Sequence, residues 1–570
     1  MIIVKQNNFA KNTLVLFISM FISKIVGAMF KIPLTNIIGG IGMGYYSTAY
    51  SIYTPVFALT ASGIPTVIIR QIAENIAKKN YKNGDKILKV ALLLFGSLGI
   101  IGTLFIILVS GLFSDYVANS HEGVYAVLAI SPSIFFCCLS AVFKGYYEGY
   151  NNMIPSAVSQ ILESITRAVV GLSSAVLITE WGKASFYDNK TVFGVYCDTI
   201  AQATERILPL SAAAAIFAVT ISELVCLLCM VIKHKLFNKE RCHNGYTGVV
   251  EENRVIAHRL VKELIPVALA AIAVNLSSFI DMITIPRCIA YAITKDSGYF
   301  SSVYSHIINS GMGSIKLSNF MYGSYTGVAI TVFMLVPAFT GMIGRSALPE
   351  IAAFWSSGNR EQFAGRLKVV IKSNFMIGFP LYFLMAAFAP DILKILYHGR
   401  PDEVSICVTP LFILAVGGVF LTLSSTFYSV FQMIGRTDIP IKLTLISSAV
   451  KLVLNVFLIS LPQININGAA ISTLIAYSVS ALGGYFAVEA VTGIDLKIIS
   501  CMKFPFVAAF LCAVCAKLCE YFFVGELKGI ALFVVCAVVG MFIYSLFLTI
   551  NNRYKLKILL NRRKRKILKK

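Results

Sequence analysis

The stretch Leu139–Leu172, LSAVFKGYYEGYNNMIPSAVSQILESITRAVVGL, returns in altered form as Leu423–Leu458, LSSTFYSVFQMIGRTDIPIKLTLISSAVKLVLNVFL. Both copies open on Leu-Ser with a Phe four residues after the Leu, and pass through a polar turn. Both then start a second apolar run at Ile-Pro, Ile154-Pro155 and Ile439-Pro440. Proline suits a helix start, where its missing N–H would be unpaired anyway. Each second run carries one basic residue deep inside it, Arg167 and Lys451, at nearly the same distance from the proline. A second echo pairs Gly63-Ile64-Pro65 with Ala347-Leu348-Pro349, each opening a short helix that runs into a basic loop. An odd apolar run matches an odd one, so the repeats are parallel, related by an axis along the membrane normal.

The runs are membrane spans. The 570 residues are 57% hydrophobic and 13% charged, a ratio that needs the bilayer as solvent. Roughly 20 apolar residues cross the hydrocarbon as a helix, and such runs recur often enough for about fourteen spans. The expected fold is all-α and polytopic: two six-helix pseudo-symmetric bundles plus two extra C-terminal helices. The corresponding divisions are 1–235, 236–492, 493–551 and a basic tail, 552–570. The amino-terminal MIIVKQNNFAKNTLVLFISMFISKIVG lacks an A-x-A-like cleavage site and reads as an uncleaved first helix.

Lys and Arg set the orientation. Lys78, Lys79, Lys82 and Lys86, then Lys233, Lys235, Lys239, Arg241 and Arg254, then Arg345, Arg360 and Arg366 all fall in one alternate set of loops. Ser110–Gly123 and Leu461–Asn467 in the other set have none. The basic set is expected in the cytoplasm, with both termini. The tail NNRYKLKILLNRRKRKILKK then meets an anionic leaflet. The net charge of +22 thus points to anionic lipid; no RNP, zinc-finger or helix-turn-helix context suggests nucleic acid. Two outer connections, Thr179–Arg206 and Ala290–Phe320, read as long loops without a catalytic constellation. Cys226-x-x-Cys229 and Cys512-x-x-Cys515 lie in apolar helix without nearby His and read as small core residues; no metal site is expected.

An ionisable side chain inside a bilayer costs about 2.5–3.5 kcal/mol on insertion scales, so it faces a polar cavity or a partner. Such residues are Lys24, Lys31, Glu163, Arg167, Glu223, Asp281, Arg287, Lys451 and Lys517. Lys24, Gly27, Ala28 and Lys31 share one helix face, placing two ammonium groups beside a thin strip of backbone that a bulky anion can approach. Lys31, Arg287 and Lys517, near outer helix ends, can alternatively snorkel to the interface. Glu163 and Arg167 have the spacing of a neutralising intrahelical pair. Asp281, Glu223 and Glu163 are candidates for coupling to Na+ or H+, or for pairing with the bases. The excess of positive charge, if uncompensated in a poorly screened cavity, suits phosphate or pyrophosphate. Lys24, Lys31, Arg167, Lys451 and Arg287 are the candidate substrate contacts.

The opening helix with Lys24 and Lys31, Gly39–Tyr46 (GGIGMGYY), Ala61–Pro65 (ASGIP), Lys144–Arg167 and Ile434–Leu458 followed by Ile466–Ala470 resemble the stage V sporulation protein B branch of polysaccharide transporters. With the MurJ-type lipid II flippases, that branch belongs to the multidrug/oligosaccharidyl-lipid/polysaccharide exporter superfamily. The resemblance implies a multi-pass protein of the bacterial inner membrane, not an enzyme, with no bound cofactor, acting as a monomer. It implies transfer of an undecaprenyl-pyrophosphate-linked saccharide, such as the lipid II-type peptidoglycan precursor, from inner to outer leaflet by alternating access. It also implies that the two extra helices form a groove for the lipid tail. Two departures stand out: Lys24 and Lys31 fall where the family often has Arg, and Val56–Leu59 falls where MurJ-type members can carry Arg. Lysine lacks the guanidinium fork that grips phosphate bidentately. A flippase for another surface polysaccharide, or a cation-coupled drug exporter of the same superfamily, remains an alternative.

Overall fold

A computed structural model describes residues 2–78, 80–117, 121–241, 250–308, 314–346, 351, 354–523 and 529–567. Nearly all of these are helical, and the chain is a polytopic all-α membrane protein. Among the described residues, 13 helices are long and apolar enough to cross a bilayer. The first of them, Ile18–Ala77, is 60 residues long, enough for more than one crossing. It includes most of α1 (Ile2–Thr60), whose 59 residues would reach about 88 Å if straight, far beyond one bilayer. The break falls at Gly39, whose φ of 64° is costly for any residue with a Cβ. Leu93, Leu108, Val169, Leu177, Val453, Phe457 and Phe542 are all at least 62% exposed, as lipid-facing side chains must be.

The chain packs as two compact units, 1–331 with 452–466, and 332–451 with 467–570. This division by packing is distinct from a division by internal repeat, and its boundary cuts through one helix between Lys451 and Leu452. The Ala347-Leu348-Pro349 echo lies outside the described residues, as do the side chains of the basic tail.

In the first unit, α1 is followed by α2 (Ile64–Ala77), α3 (Tyr81–Leu112), α4 (Val124–Ile130), α5 (Ser133–Gly149), α6 (Ile154–Asn189), α7 (Ile200–Arg241), α8 (Asn253–Lys295) and α9 (Ser314–Ser324). The second arm of α1 meets α9 through backbone. A Cβ added at Gly323 would fall on the Gly40 carbonyl and the Gly44 backbone, so only glycine permits the approach. Hydroxyls and an amide flank that contact: Ser47 with Thr326 (2.7 Å), Ser51 with Tyr322 (3.2 Å), and Asn319 Nδ2 donating to the Ile41 carbonyl (3.3 Å).

The segment expected as a long loop, Thr179–Arg206, is mostly helix. Helix α6 continues to Asn189, and a hairpin of Thr191–Val192 and Val195–Tyr196 leads to α7. Thr179 bonds Ser211 (2.9 Å) on α7, and Val192, Cys197, Ala203 and Ile207 form a small core under Phe186 and Phe193. Polar composition suggested a loop, but packing against α7 sustains the extra helical turns. Ala290–Phe320 is likewise partly helical, since α8 runs to Lys295 and short helices occupy Ser297–Val303 and Ser305–Ile308.

The second unit contains α10 (Arg360–Ala387), α11 (Pro401–Met433), the first part of α12 (Asp438–Ile459), α13 (Ile466–Thr492), α14 (Ile498–Phe523) and α15 (Ile530–Ile567). Its core stacks Phe375 and Phe379 of α10 with Phe427 and Phe431 of α11, and with a small-residue face of α14 at Ala508, Ala509, Cys512 and Ala516. Gly540 of α15 sits over the Cys512 carbonyl, and the Tyr544 hydroxyl donates to the Met376 carbonyl (2.6 Å). The two helices outside the repeat are therefore integral to this unit.

Candidate functional site

The first arm of α1 presents the basic strip that its spacing predicts. Lys24 and Gly27 are exposed, Lys31 is half-buried, and a Cβ built on Gly27 would meet nothing within 4 Å. The backbone between the ammonium groups is thus open to an approaching group.

Arg167 lies in a different setting. Its guanidinium donates to Glu163 Oε1 at 2.6 Å and to the Tyr50 hydroxyl at 3.3 Å, and Glu223 Oε1 lies 3.9 Å away. Lys144 Nζ approaches the other Glu163 oxygen at 3.4 Å, and Ser140 donates to Glu223 at 3.5 Å. Four helices of the first unit, α1, α5, α6 and α7, thereby contribute to one network of two cations and two carboxylates. The expectation of uncompensated positive charge is corrected here: Arg167 is compensated, because inside the bundle a lone guanidinium would lack both water and counter-charge. Lys144 and Tyr50 were not among the residues singled out from sequence. Lys144 falls at the very end of its apolar run, where a charge reads as part of the turn, and Tyr50 carries no formal charge to draw notice.

The same network draws in Cys226. Ligand atoms of Glu163, Glu223 and Cys226 lie within 4.8 Å of one another, which is compatible with a metal by distance alone. Protein cations already occupy both carboxylates, so an ion there would have to displace Lys144 or Arg167.

Asp281 belongs to a second polar cluster in the first unit. Asn455 Nδ2 of α12 donates to Asp281 Oδ1 (3.0 Å) and to the Thr284 hydroxyl (2.8 Å) on α8. Asn455 is fully buried and Asp281 half-buried. Three oxygen-bearing side chains converge there. Asn455 and Thr284 are neutral, so a search for misplaced charge passes over them.

Arg287 is exposed near the end of α8, as an interfacial arginine would be. Lys451 is 2% exposed within the second unit. Lys517 is paired with Glu520 (2.6 Å) and Asp391 (3.5 Å) and lies 4.3 Å from the Phe388 ring centre. It too is compensated. It stands at the edge of an apolar groove of about 780 Å³ between α10, α11 and α14, lined among others by Phe383, Phe412, Val416, Phe506, Phe510 and Leu518.

A long helical bundle, buried ion networks and a lipid-sized apolar groove suit a membrane transporter. Comparison with known proteins shows what the chain is similar to. The "Polysaccharide biosynthesis protein" model matches residues 9–188 and the "MatE" model residues 299–457. Stage V sporulation protein B of Bacillus subtilis is 22% identical over 494 residues, 86% of each chain. Lipid II flippase MurJ of the same organism is 20% identical over 562 residues, covering 95% of this chain and 94% of that one. Among solved structures, an inward closed conformation of lipid II flippase MurJ aligns with a TM-score of 0.60 at 15% identity, over 95% of this chain and all of the other. An inward-facing multidrug resistance MATE family transporter of the MOP superfamily aligns with a TM-score of 0.58 at 16% identity, over 84% and 99%. The chain is thus similar over most of its length to a stage V sporulation protein B and a MurJ flippase, which are transporters and flippases rather than enzymes, and it shares their fold.

Proposed function

We propose that this protein flips an undecaprenyl-pyrophosphate-linked saccharide from the inner to the outer leaflet of the bacterial inner membrane, with a lipid II-type peptidoglycan precursor as the leading substrate. Both termini are assigned to the cytoplasm, and the working unit is a monomer. The carrying observation is the open strip of α1, where Lys24 and Lys31 flank the bare backbone at Gly27. Two ammonium groups beside accessible backbone suit a pyrophosphate, whose charge is large and whose oxygens accept several hydrogen bonds. The groove between α10, α11 and α14 suits the isoprenoid tail, since its named lining is aromatic and aliphatic. Homology to stage V sporulation protein B and MurJ supports the substrate class.

Arg167, Lys451 and Arg287 remain in the substrate path under this reading, with Arg167 available only when Glu163 and Glu223 release it. Asp281, Glu223 and Glu163 are the candidates for coupling to Na+ or H+, and Asp281 sits with Asn455 and Thr284 in a cluster of oxygen-bearing side chains from α8 and α12. No bound cofactor is required by this scheme. The test is translocation of lipid II in proteoliposomes, with and without a Na+ gradient. K24Q/K31Q is expected to lower the rate by at least about tenfold, in keeping with the loss of two charge-assisted contacts. Wild-type transport by that variant would overturn the assignment of the strip.

A second reading, a cation-coupled drug exporter, draws on the MatE match and on the buried Glu223. Increased drug susceptibility of a deletion strain, with wall synthesis intact, would favour it.

A further inference from the structure

A polar pocket of about 580 Å³ opens beside the start of α3, lined by Lys82, Asp85, Lys86, Lys89 and Leu93 with Asn253 from the first turn of α8. Both helices belong to the first unit. The lysines stand at i, i+4 and i+7, so they share one face of α3. Asp85, the carboxylate nearest in sequence, accepts a hydrogen bond from the Tyr146 hydroxyl at 2.6 Å. None of the three lysines has an ion-pair partner among the described residues. The pocket therefore carries two more positive charges than negative ones, counting three lysines against Asp85.

The same helical face continues into the apolar part of α3. Leu93, Ile100, Leu104 and Leu108 extend the stripe and are 78%, 50%, 52% and 79% exposed. An anion-binding end followed by an uncovered apolar track of this length matches one kind of molecule, an anionic amphiphile lying along the helix. A soluble phosphate would use only the lysines and leave the alignment with the apolar track unused.

We propose that this pocket binds the headgroup phosphate of an anionic glycerophospholipid from the adjoining leaflet, with an acyl chain lying along Leu93, Ile100 and Leu104. The three lysines supply the charge and Asn253 a neutral hydrogen-bonding group at the rim. The site is separate from the α1 strip and does not depend on the transported substrate.

The experiment uses the full chain, delipidated in detergent and titrated with phosphatidylglycerol or phosphatidylcholine, with occupancy read by native mass spectrometry. Wild type is expected to retain phosphatidylglycerol in preference to phosphatidylcholine. K82Q/K86Q/K89Q should weaken phosphatidylglycerol retention by at least about tenfold, since each basic residue near an anionic surface is worth roughly fivefold. The charge-preserving K82R/K86R/K89R should bind as wild type does, which separates lost charge from lost fold. Equal retention of the two lipids by wild type, or undiminished retention by the glutamine variant, would overturn the proposal. Displacement of the lipid by millimolar inorganic phosphate would also overturn it, by showing that the apolar track contributes nothing.

Discussion

Glu163 holds the first unit's ionic network together because it makes close contacts with both cations, Arg167 at 2.6 Å and Lys144 at 3.4 Å. Removing one partner of a buried ion pair costs about 3–5 kcal/mol, chiefly because the remaining charge is stranded. Glu163→Gln should therefore lower the unfolding temperature in detergent markedly, and adding Lys144→Met should recover part of the loss by restoring neutrality. A Glu163→Gln protein that melts with wild type would show that the network is solvated and energetically slight. The pairing of Glu163 with Arg167 could be read from their spacing. Glu223 was open from sequence to pairing with a base, but which base could not be read, nor could the participation of Lys144 and Tyr50, because these residues are brought together from three other helices.

At the level of elements, the contact between α1 and α9 is set by glycine. Gly323→Ala places a methyl group on the Gly40 carbonyl and the Gly44 backbone, where neither neighbour has a side chain able to swing aside. Overpacking of this kind costs about 1–3 kcal/mol or more. Gly341, by contrast, has nothing within 4 Å of an added Cβ. Gly341→Ala should be neutral or stabilising by up to about 1 kcal/mol through helix propensity. Thermal unfolding of the two variants side by side checks the contrast, and equal melting temperatures would contradict it. The glycine-rich stretch Gly39–Tyr46 reads from sequence as a turn, but apart from the break at Gly39 it is helix, and its glycines serve the second helix that needs the absence of side chains there. Local composition also misled at Thr179–Arg206, where packing on α7 overrides the loop-like character of the residues.

For the whole molecule, the two helices outside the repeat acquire a role from packing. Helix α14 supplies one wall of the groove, and α15 anchors to α10 through Tyr544. If the groove carries an isoprenoid tail, Val416→Trp should fill it and slow flipping of an undecaprenyl-linked substrate by about tenfold, because each methylene excluded from an apolar site is worth roughly 0.8 kcal/mol. A short-chain analogue should move at the wild-type rate. Parallel assays in proteoliposomes check this, and equal slowing of both substrates would assign the defect to the bundle rather than to the tail.

Hydrophobic content and the spacing of apolar runs determined the membrane class and the approximate number of spans, since these depend only on how far a helix must reach across hydrocarbon. The order of motifs carried the resemblance to polysaccharide transporters and MurJ-type flippases. Tertiary structure decided which charges have partners: Arg167 and Lys517 meet carboxylates, while Lys82, Lys86 and Lys89 have none among the described residues. It also decided that Asp281 lies against Asn455, far along the chain. The physical reason is that an ionisable group's cost and use in a membrane depend on the groups within a few ångströms of it. Those neighbours arrive from helices that sequence separates by scores of residues.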